Sequence, residues 1–253
     1  MQATIDIKDK LDELAEHYNT PAFIERDPVQ FPRRFDKLQD IETAAFLTAT
    51  ISWGNRASVL KSAEKMFALM NHAPYDYIMN GDYRALGRKN IHRTFFEHDL
   101  LYICSGLHEI YSHHNSLEEV FAGKDLWNGI VSFRSTIQEA NGGMSCKHIS
   151  NPDKNSTCKR LHMALRWLIR QDGIVDLGVW KQISPSELYI PLDVHVARVS
   201  REFGILERKS NDRKAVEELT AVLRKLKPED PVVYDFALFG LGEEISHEGP
   251  KRY

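Results

Sequence analysis

Apolar residues recur at helical spacing along almost the whole chain. Leu11, Leu14, Tyr18 and Phe23 open an amphipathic N-terminal stretch. Asp40 precedes an apolar run from Ile41 to Ser52 and reads as its N-cap. From Ala57 to Asn71 the apolar positions are Val59, Ala63, Met66, Phe67 and Met70. From Asp99 to Ser112 they are Leu100, Ile103, Leu107 and Ile110. Ser116, with Glu119 three residues on, is a capping-box signature for a short helix over Leu117–Ala122. Further helices are predicted over 126–139, 157–171, 194–203 and 212–226. Asp230-Pro231 opens a last one, running from Tyr234 to Leu241. Gly240 and Gly242 mark either a close approach or a helix end. Residues 141–155 are polar and broken by Gly and Pro, which predicts a surface loop between lobes. Residues 172–191 read as a longer irregular connection. No strand set, internal repeat or low-complexity segment emerges.

This is an all-α pattern. With 253 residues and 42% hydrophobic content, the chain can bury one large core or two small lobes. No apolar run approaches the length of a membrane span, and Met1–Lys10 lacks a signal-peptide core. Cys104, Cys146 and Cys158 are too few and too scattered for a disulfide framework or a four-cysteine cluster. A cytoplasmic protein is the expectation. The formal net charge of −3 counts weakly against nucleic acid. Basic residues nonetheless gather at Arg33–Arg34, Lys159–Arg170, Arg198–Arg201 and Lys251–Arg252, which leaves room for a local basic surface.

Two residues carry candidate chemistry. Lys159 lies in Ser156-Thr157-Cys158-Lys159-Arg160-Leu161, about three residues inside a helix expected to be capped by Ser156 or Thr157. The positive end of a helix dipole disfavours an ammonium there, and partial burial acts in the same direction. A neutral lysine amine is the nucleophile of Schiff-base chemistry. From position alone, a solvated lysine or one pairing with phosphate is the plainer reading. Asp193, 34 residues on, follows an extended Pro-containing segment and precedes a helix. That is an ordinary N-cap position, worth about 1 kcal/mol. A capping carboxylate has fixed geometry and can also face a cleft.

Pro191-Leu192-Asp193-Val194-His195-Val196-Ala197-Arg198-Val199, followed by Phe203-Gly204-Ile205-Leu206, resembles the signature of the helix-hairpin-helix (HhH-GPD) DNA glycosylase superfamily. In that superfamily a proline, an apolar residue and the catalytic aspartate precede a helix. The bifunctional members carry an upstream lysine, which Lys159 matches by order and helix position. The usual Leu-Pro-Gly-Val-Gly phosphate-binding hairpin is absent, and the lysine-to-aspartate spacing is long. Both traits are similar to the archaeal 8-oxoguanine glycosylases. Their base pocket has an aspartate, a tryptophan four residues later and then a glycine; Asp235, Phe239 and Gly242 stand at those relative positions, with Phe replacing Trp. From about Phe31 to Gly242 the chain is also similar to an uncharacterised bacterial family. The shared stretches are Cys-Lys-Arg-Leu, Leu-Arg-Trp-Leu, Pro-Leu-Asp-Val-His and Tyr-Asp-Phe-Ala-Leu.

The resemblance implies a two-lobed glycosylase-like fold with an interlobe cleft. One lobe would span about 40–155, and the other the N-terminus with about 156–253. It implies a DNA glycosylase with abasic-site lyase activity on an oxidised base, 8-oxoguanine first, in a monomeric, nucleoid-associated protein acting on double-stranded DNA. Lys159 and Asp193 would be catalytic. Trp53, Asn55, Asp235 and Phe239 would bind the flipped base or its partner. Arg56, Arg160, Arg166 and Arg198 would contact phosphate. Arg93-Thr94-Phe95-Phe96 offers an aromatic wall or core. Trp53-Gly54-Asn55-Arg56 reads equally as a helix break. No cofactor is implied. His108, His113 and His114, and Glu244 with His247, fall short of a zinc ligand set. The alternatives are a catalytically inactive nucleic-acid-binding protein of the same fold, or a glycosylase for RNA or another modified base.

Overall fold

The computed structural model describes residues 2–248. Lys251–Arg252 and the side chain of His247 lie outside the described residues. The order is α1 (Gln2–Tyr18), α2 (Pro21–Arg26), α3 (Leu38–Ile51), α4 (Arg56–Leu69), α5 (Pro74–Met79), β1 (Asn90–His92), β2 (Phe95–Phe96), α6 (Glu97–His113), α7 (Glu118–Phe121) and α8 (Leu126–Glu139). There follow α9 (Lys159–Ile169), α10 (Val194–Glu202), α11 (Arg213–Leu226) and α12 (Tyr234–Glu248). The protein is predominantly helical. No described helix is long and apolar enough to cross a membrane.

The chain divides into two units. One holds Ile24–Asn151 together with Val179–Ile183; the other holds the chain up to Phe23, Pro152–Gly178 and the chain from Ser184. Two segments therefore sit differently from the expected lobes. Residues 24–39 belong with α3–α8, and Val179–Ile183 returns to that unit.

The unit built on α3–α8 explains the return. Every residue of α3 from Asp40 to Ile51 is buried, so α3 has little amphipathic pattern. Buried among them is the carboxylate of Glu42, which must be hydrogen-bonded to be tolerated. It accepts from Leu117 N at 3.1 Å, Tyr111 OH at 3.1 Å, Trp180 Nε1 at 2.7 Å and Ser116 Oγ. Burial still pushes its pKa above the ordinary range. Trp180 also packs on Phe121, with ring centroids 5.4 Å apart, and Phe46 stacks on Phe133 at 4.8 Å. Gln182 N donates to Glu118 Oε1 at 2.6 Å. One tryptophan and two polar contacts thus fasten a distant segment into this core. Asp40 is not the N-cap. Helix α3 begins at Leu38, and buried Asp40 accepts from Tyr75 N at 2.8 Å instead. The sequence pattern does not predict the antiparallel hairpin β1–β2, whose strands are too short to show a period of two. Phe95 is fully buried, so that aromatic is core.

In the other unit α12 packs against α1 and α10. Gly240 sits where an added Cβ would come 2.4 Å from the Tyr18 ring, and one at Gly242 would come 2.8 Å from His195 Cβ. Both glycines therefore mark close approaches, and the helix runs on past them to Glu248. Phe23 meets Phe236 edge-on at 5.3 Å.

Candidate active site

Lys159 is the first residue of α9 and not the third. The chain enters through Cys158, a buried residue held at φ 48, and that left-handed turn starts the helix abruptly. Leu161 N and His162 N both donate to the Cys158 carbonyl at 3.0 Å. The side-chain cap expected from Ser156 or Thr157 does not form; Ser156 Oγ accepts from Cys158 N at 3.2 Å.

Asp193 is the N-cap of α10. Its Oδ1 accepts from His195 N at 2.9 Å and Val196 N at 3.0 Å. Its Oδ2 lies 3.6 Å from Lys159 Nζ. The two side chains keep 18% and 26% of their exposure respectively. One carboxylate oxygen thus serves the backbone while the other faces the amine, and both groups remain reachable from solvent. The Phe239 ring lies 5.9 Å from Lys159 Nζ, and His195 meets that ring edge-on at 6.2 Å. His195 Nδ1 lies 3.2 Å from the Gly242 carbonyl. A carbonyl only accepts, so Nδ1 carries the proton in that contact.

Asp235 and Phe239 are four residues apart on α12 and so share a face. Asp235 is buried, and its Oδ2 holds the Arg166 guanidinium. Burial is the largest influence on Asp235 and raises its pKa; Arg166 opposes that, Asp193 adds to it and Lys159 opposes it. The outcome is a carboxyl pushed up to about 6. Arg166 Nε also donates to Asp176 Oδ1 at 3.2 Å. Arg170 continues the network to Asp176 Oδ2 at 2.9 Å, to Asp230 at 2.9 Å and to Asp172. Phe236 lies under both arginines, 4.4 and 5.3 Å from their guanidinium carbons.

Arg166 corrects an expectation. At 4% exposure and paired with Asp176 and Asp235, it presents no cation to a phosphate. Its position was readable in part, because Lys159 and Arg166 are seven residues, or two turns, apart on one face of α9. What the spacing did not reveal is that this face turns inward at Arg166. Arg198 Nη2 donates to the Gly242 carbonyl at 2.8 Å and to Ser246 Oγ at 3.3 Å, so this guanidinium ties α10 to α12. Arg160, beside Lys159, is half-buried.

Trp53, Asn55 and Arg56 belong to the other unit. Asn55 is exposed and caps the start of α4, accepting from Ser58 N at 3.1 Å. Arg56 is the first residue of α4 and half-buried. Trp53 is half-buried; it stacks on His148 at 5.3 Å and meets His92 edge-on at 4.8 Å. The candidate residues thus form two sets. Lys159, Asp193, Asp235 and Phe239 gather in one unit, and Trp53, Asn55 and Arg56 in the other.

Among the described residues no group of three His, Cys, Asp or Glu side chains could hold a metal ion. His113 pairs with Glu109 and His114 with Glu119, both on the surface. The three cysteines are free thiols.

Comparison with curated proteins gives no match, and comparison with solved structures gives none. One family model matches, DUF2400, described as a protein of unknown function, over residues 27–244. That span takes in both sets of candidate residues and most of the chain, and the protein therefore belongs to the DUF2400 family.

Proposed function

We infer that the protein is a DNA repair enzyme of the helix-hairpin-helix glycosylase type. It would act as a DNA N-glycosylase with abasic-site lyase activity on an oxidised base, with 8-oxoguanine the favoured substrate. The observation that carries this reading is the approach of Lys159 Nζ to Asp193 Oδ2, 3.6 Å apart although 34 residues separate them in sequence. An amine and a carboxylate held together, each partly exposed, are the two groups that imine-forming attack on a sugar carbon requires.

In this mechanism the damaged nucleotide leaves the stack at a cost of a few kcal/mol. Lys159 Nζ, having given its proton to Asp193, attacks C1′ of the sugar, and the bond from C1′ to the base breaks. The base departs with the proton that Asp193 received, which restores the carboxylate. That carboxylate then stabilises positive charge developing on the sugar. Ring opening gives the protonated imine. Loss of a C2′ proton then expels the 3′ phosphate and cuts the strand. The Phe239 ring, 5.9 Å from Lys159 Nζ, walls that side of the amine. Trp53 and Asn55 are proposed base-side contacts, and Arg56 and Arg160 proposed phosphate contacts.

The test is borohydride trapping on duplexes carrying 8-oxoguanine or an abasic site. Wild type should give a covalent adduct, and Lys159→Gln should give none. Trapping that survives Lys159→Gln would show the lysine assignment to be wrong. Absence of both adduct and cleavage on either duplex would remove the enzymatic reading.

A second reading is a binding protein of the same fold without catalysis. It is favoured by the two backbone hydrogen bonds to Asp193 Oδ1, which give that residue a complete structural role as a cap.

A further inference from the structure

The sequence from Arg88 to Arg93 carries three cations and no carboxylate in six residues, within a chain whose formal net charge is −3. The fold displays them. Arg88, Lys89 and Arg93 are exposed, and among the described residues none of them pairs with a carboxylate. Glu97, the acid next in sequence, is buried; its Oε2 accepts from Gly87 N at 2.9 Å and Lys89 N at 3.1 Å. It shapes the segment from inside and leaves the two cations outward.

Arg93 opens the two-residue turn between β1 and β2, at φ 50. Glycine or asparagine would take that left-handed position at lower cost. Asn90 Nδ2 steadies the turn by donating to the Arg93 carbonyl at 2.6 Å. The Arg93 side chain lies across Gly54, where an added Cβ would come 2.4 Å from Arg93 Nη1. Gly54 itself has φ 89, so this glycine both makes the turn and clears space for the guanidinium.

The turn is fastened to the loop that holds Trp53. His92 is buried, with Nε2 2.9 Å from the Trp53 carbonyl and Nδ1 3.0 Å from Ser62 Oγ on α4. Nε2 donates to the carbonyl, which leaves Nδ1 to accept from the serine in the neutral ring. One histidine thus locks the hairpin, α4 and the 52–55 loop together. The result is an exposed cation laid over Gly54, the residue that lies in sequence between Trp53 and the Asn55 cap of α4.

We propose that the β1–β2 hairpin, through Arg88, Lys89 and Arg93, is a phosphate clamp on the DNA backbone beside Trp53. This proposal rests on the reading of the protein as DNA-acting and names a contact that reading did not include. The clamp reads no sequence; it sets register and holds the duplex against the 52–56 loop.

The test is fluorescence anisotropy of a labelled duplex carrying a tetrahydrofuran abasic analogue, titrated between about 50 and about 200 mM salt. The variants are Arg93→Asn, which suits the left-handed backbone, and Arg88→Gln/Lys89→Gln. Lys214→Gln, an exposed cation on α11, is the control. Each lost phosphate contact should lower the slope of log affinity against log salt by about 0.9. The hairpin variants should show this and Lys214→Gln should not. Equal slopes in wild type and hairpin variants, or no duplex binding by wild type, would overturn the clamp. Borohydride trapping on an abasic duplex, run on the same proteins, separates the two claims. An adduct with unchanged slopes discards the clamp and keeps the enzyme. Flattened slopes with no wild-type adduct keep the clamp and discard the enzyme.

Discussion

Gly242 on α12 lies so close to His195 on α10 that a Cβ at Gly242 would come 2.8 Å from His195 Cβ and 3.3 Å from its backbone. His195 is two residues from Asp193, so this contact fixes where the start of α10, and hence the carboxylate, stands. The neighbouring atoms are backbone and Cβ, which cannot rotate away.

Gly242→Ala should therefore push α10 off α12. In an unhindered helix this change would stabilise by about 1 kcal/mol. Here overpacking of about 1–3 kcal/mol opposes it. The expected result is a lower Tm together with loss of borohydride trapping. Gly240→Ala is the comparison, because its Cβ meets the Tyr18 ring on α1. That variant should also lower Tm and should retain trapping. If the two variants behave alike in trapping, the Gly242–His195 contact does not position Asp193.

Asp193→Asn separates cap from catalyst. Asparagine caps about as well as aspartate, so stability should change by less than about 1 kcal/mol. The Lys159 amine would lose its proton acceptor at 3.6 Å. Base release and strand cleavage should fall by about 100-fold or more, the scale of one acid–base group. Unchanged activity with unchanged Tm would assign Asp193 to capping alone.

Asp235 gives the folded protein a pH dependence whose sign follows from its environment. Burial raises its carboxyl from 3.8 to about 6. A group raised on folding contributes stability that is complete below its unfolded value and is lost as pH rises through its folded value. Between about pH 4 and about pH 6, wild type should lose stability relative to Asp235→Asn, by at most about 3 kcal/mol. Arg166 keeps Asp176 as a partner in the variant. Urea denaturation of both proteins across that range measures the difference, and a difference constant with pH would contradict the assignment.

The sequence by itself determined the features that are local. Helical periodicity placed most of the helices, because apolar residues three and four apart share a helix face whatever lies beyond them. Asp193 and Asp212 were readable as helix starts, and both accept from backbone N–H groups two or three residues on. Lys159 and Asp193 could be singled out as types at positions, but not as neighbours. Only tertiary structure decided what depended on partners far away in the chain. Asp40 missed its expected capping role because Tyr75 N competes for its carboxylate. Arg166 left the surface because Asp176 and Asp235 wait for it inside, and a cation looks the same in sequence whether it pairs or solvates. Val179–Ile183 crossed to the α3–α8 unit because Glu42 needs Trp180 Nε1. The Arg93–Gly54 contact joins residues 39 apart and rests on a turn, a missing Cβ and a buried histidine, none of which leaves a period in the sequence.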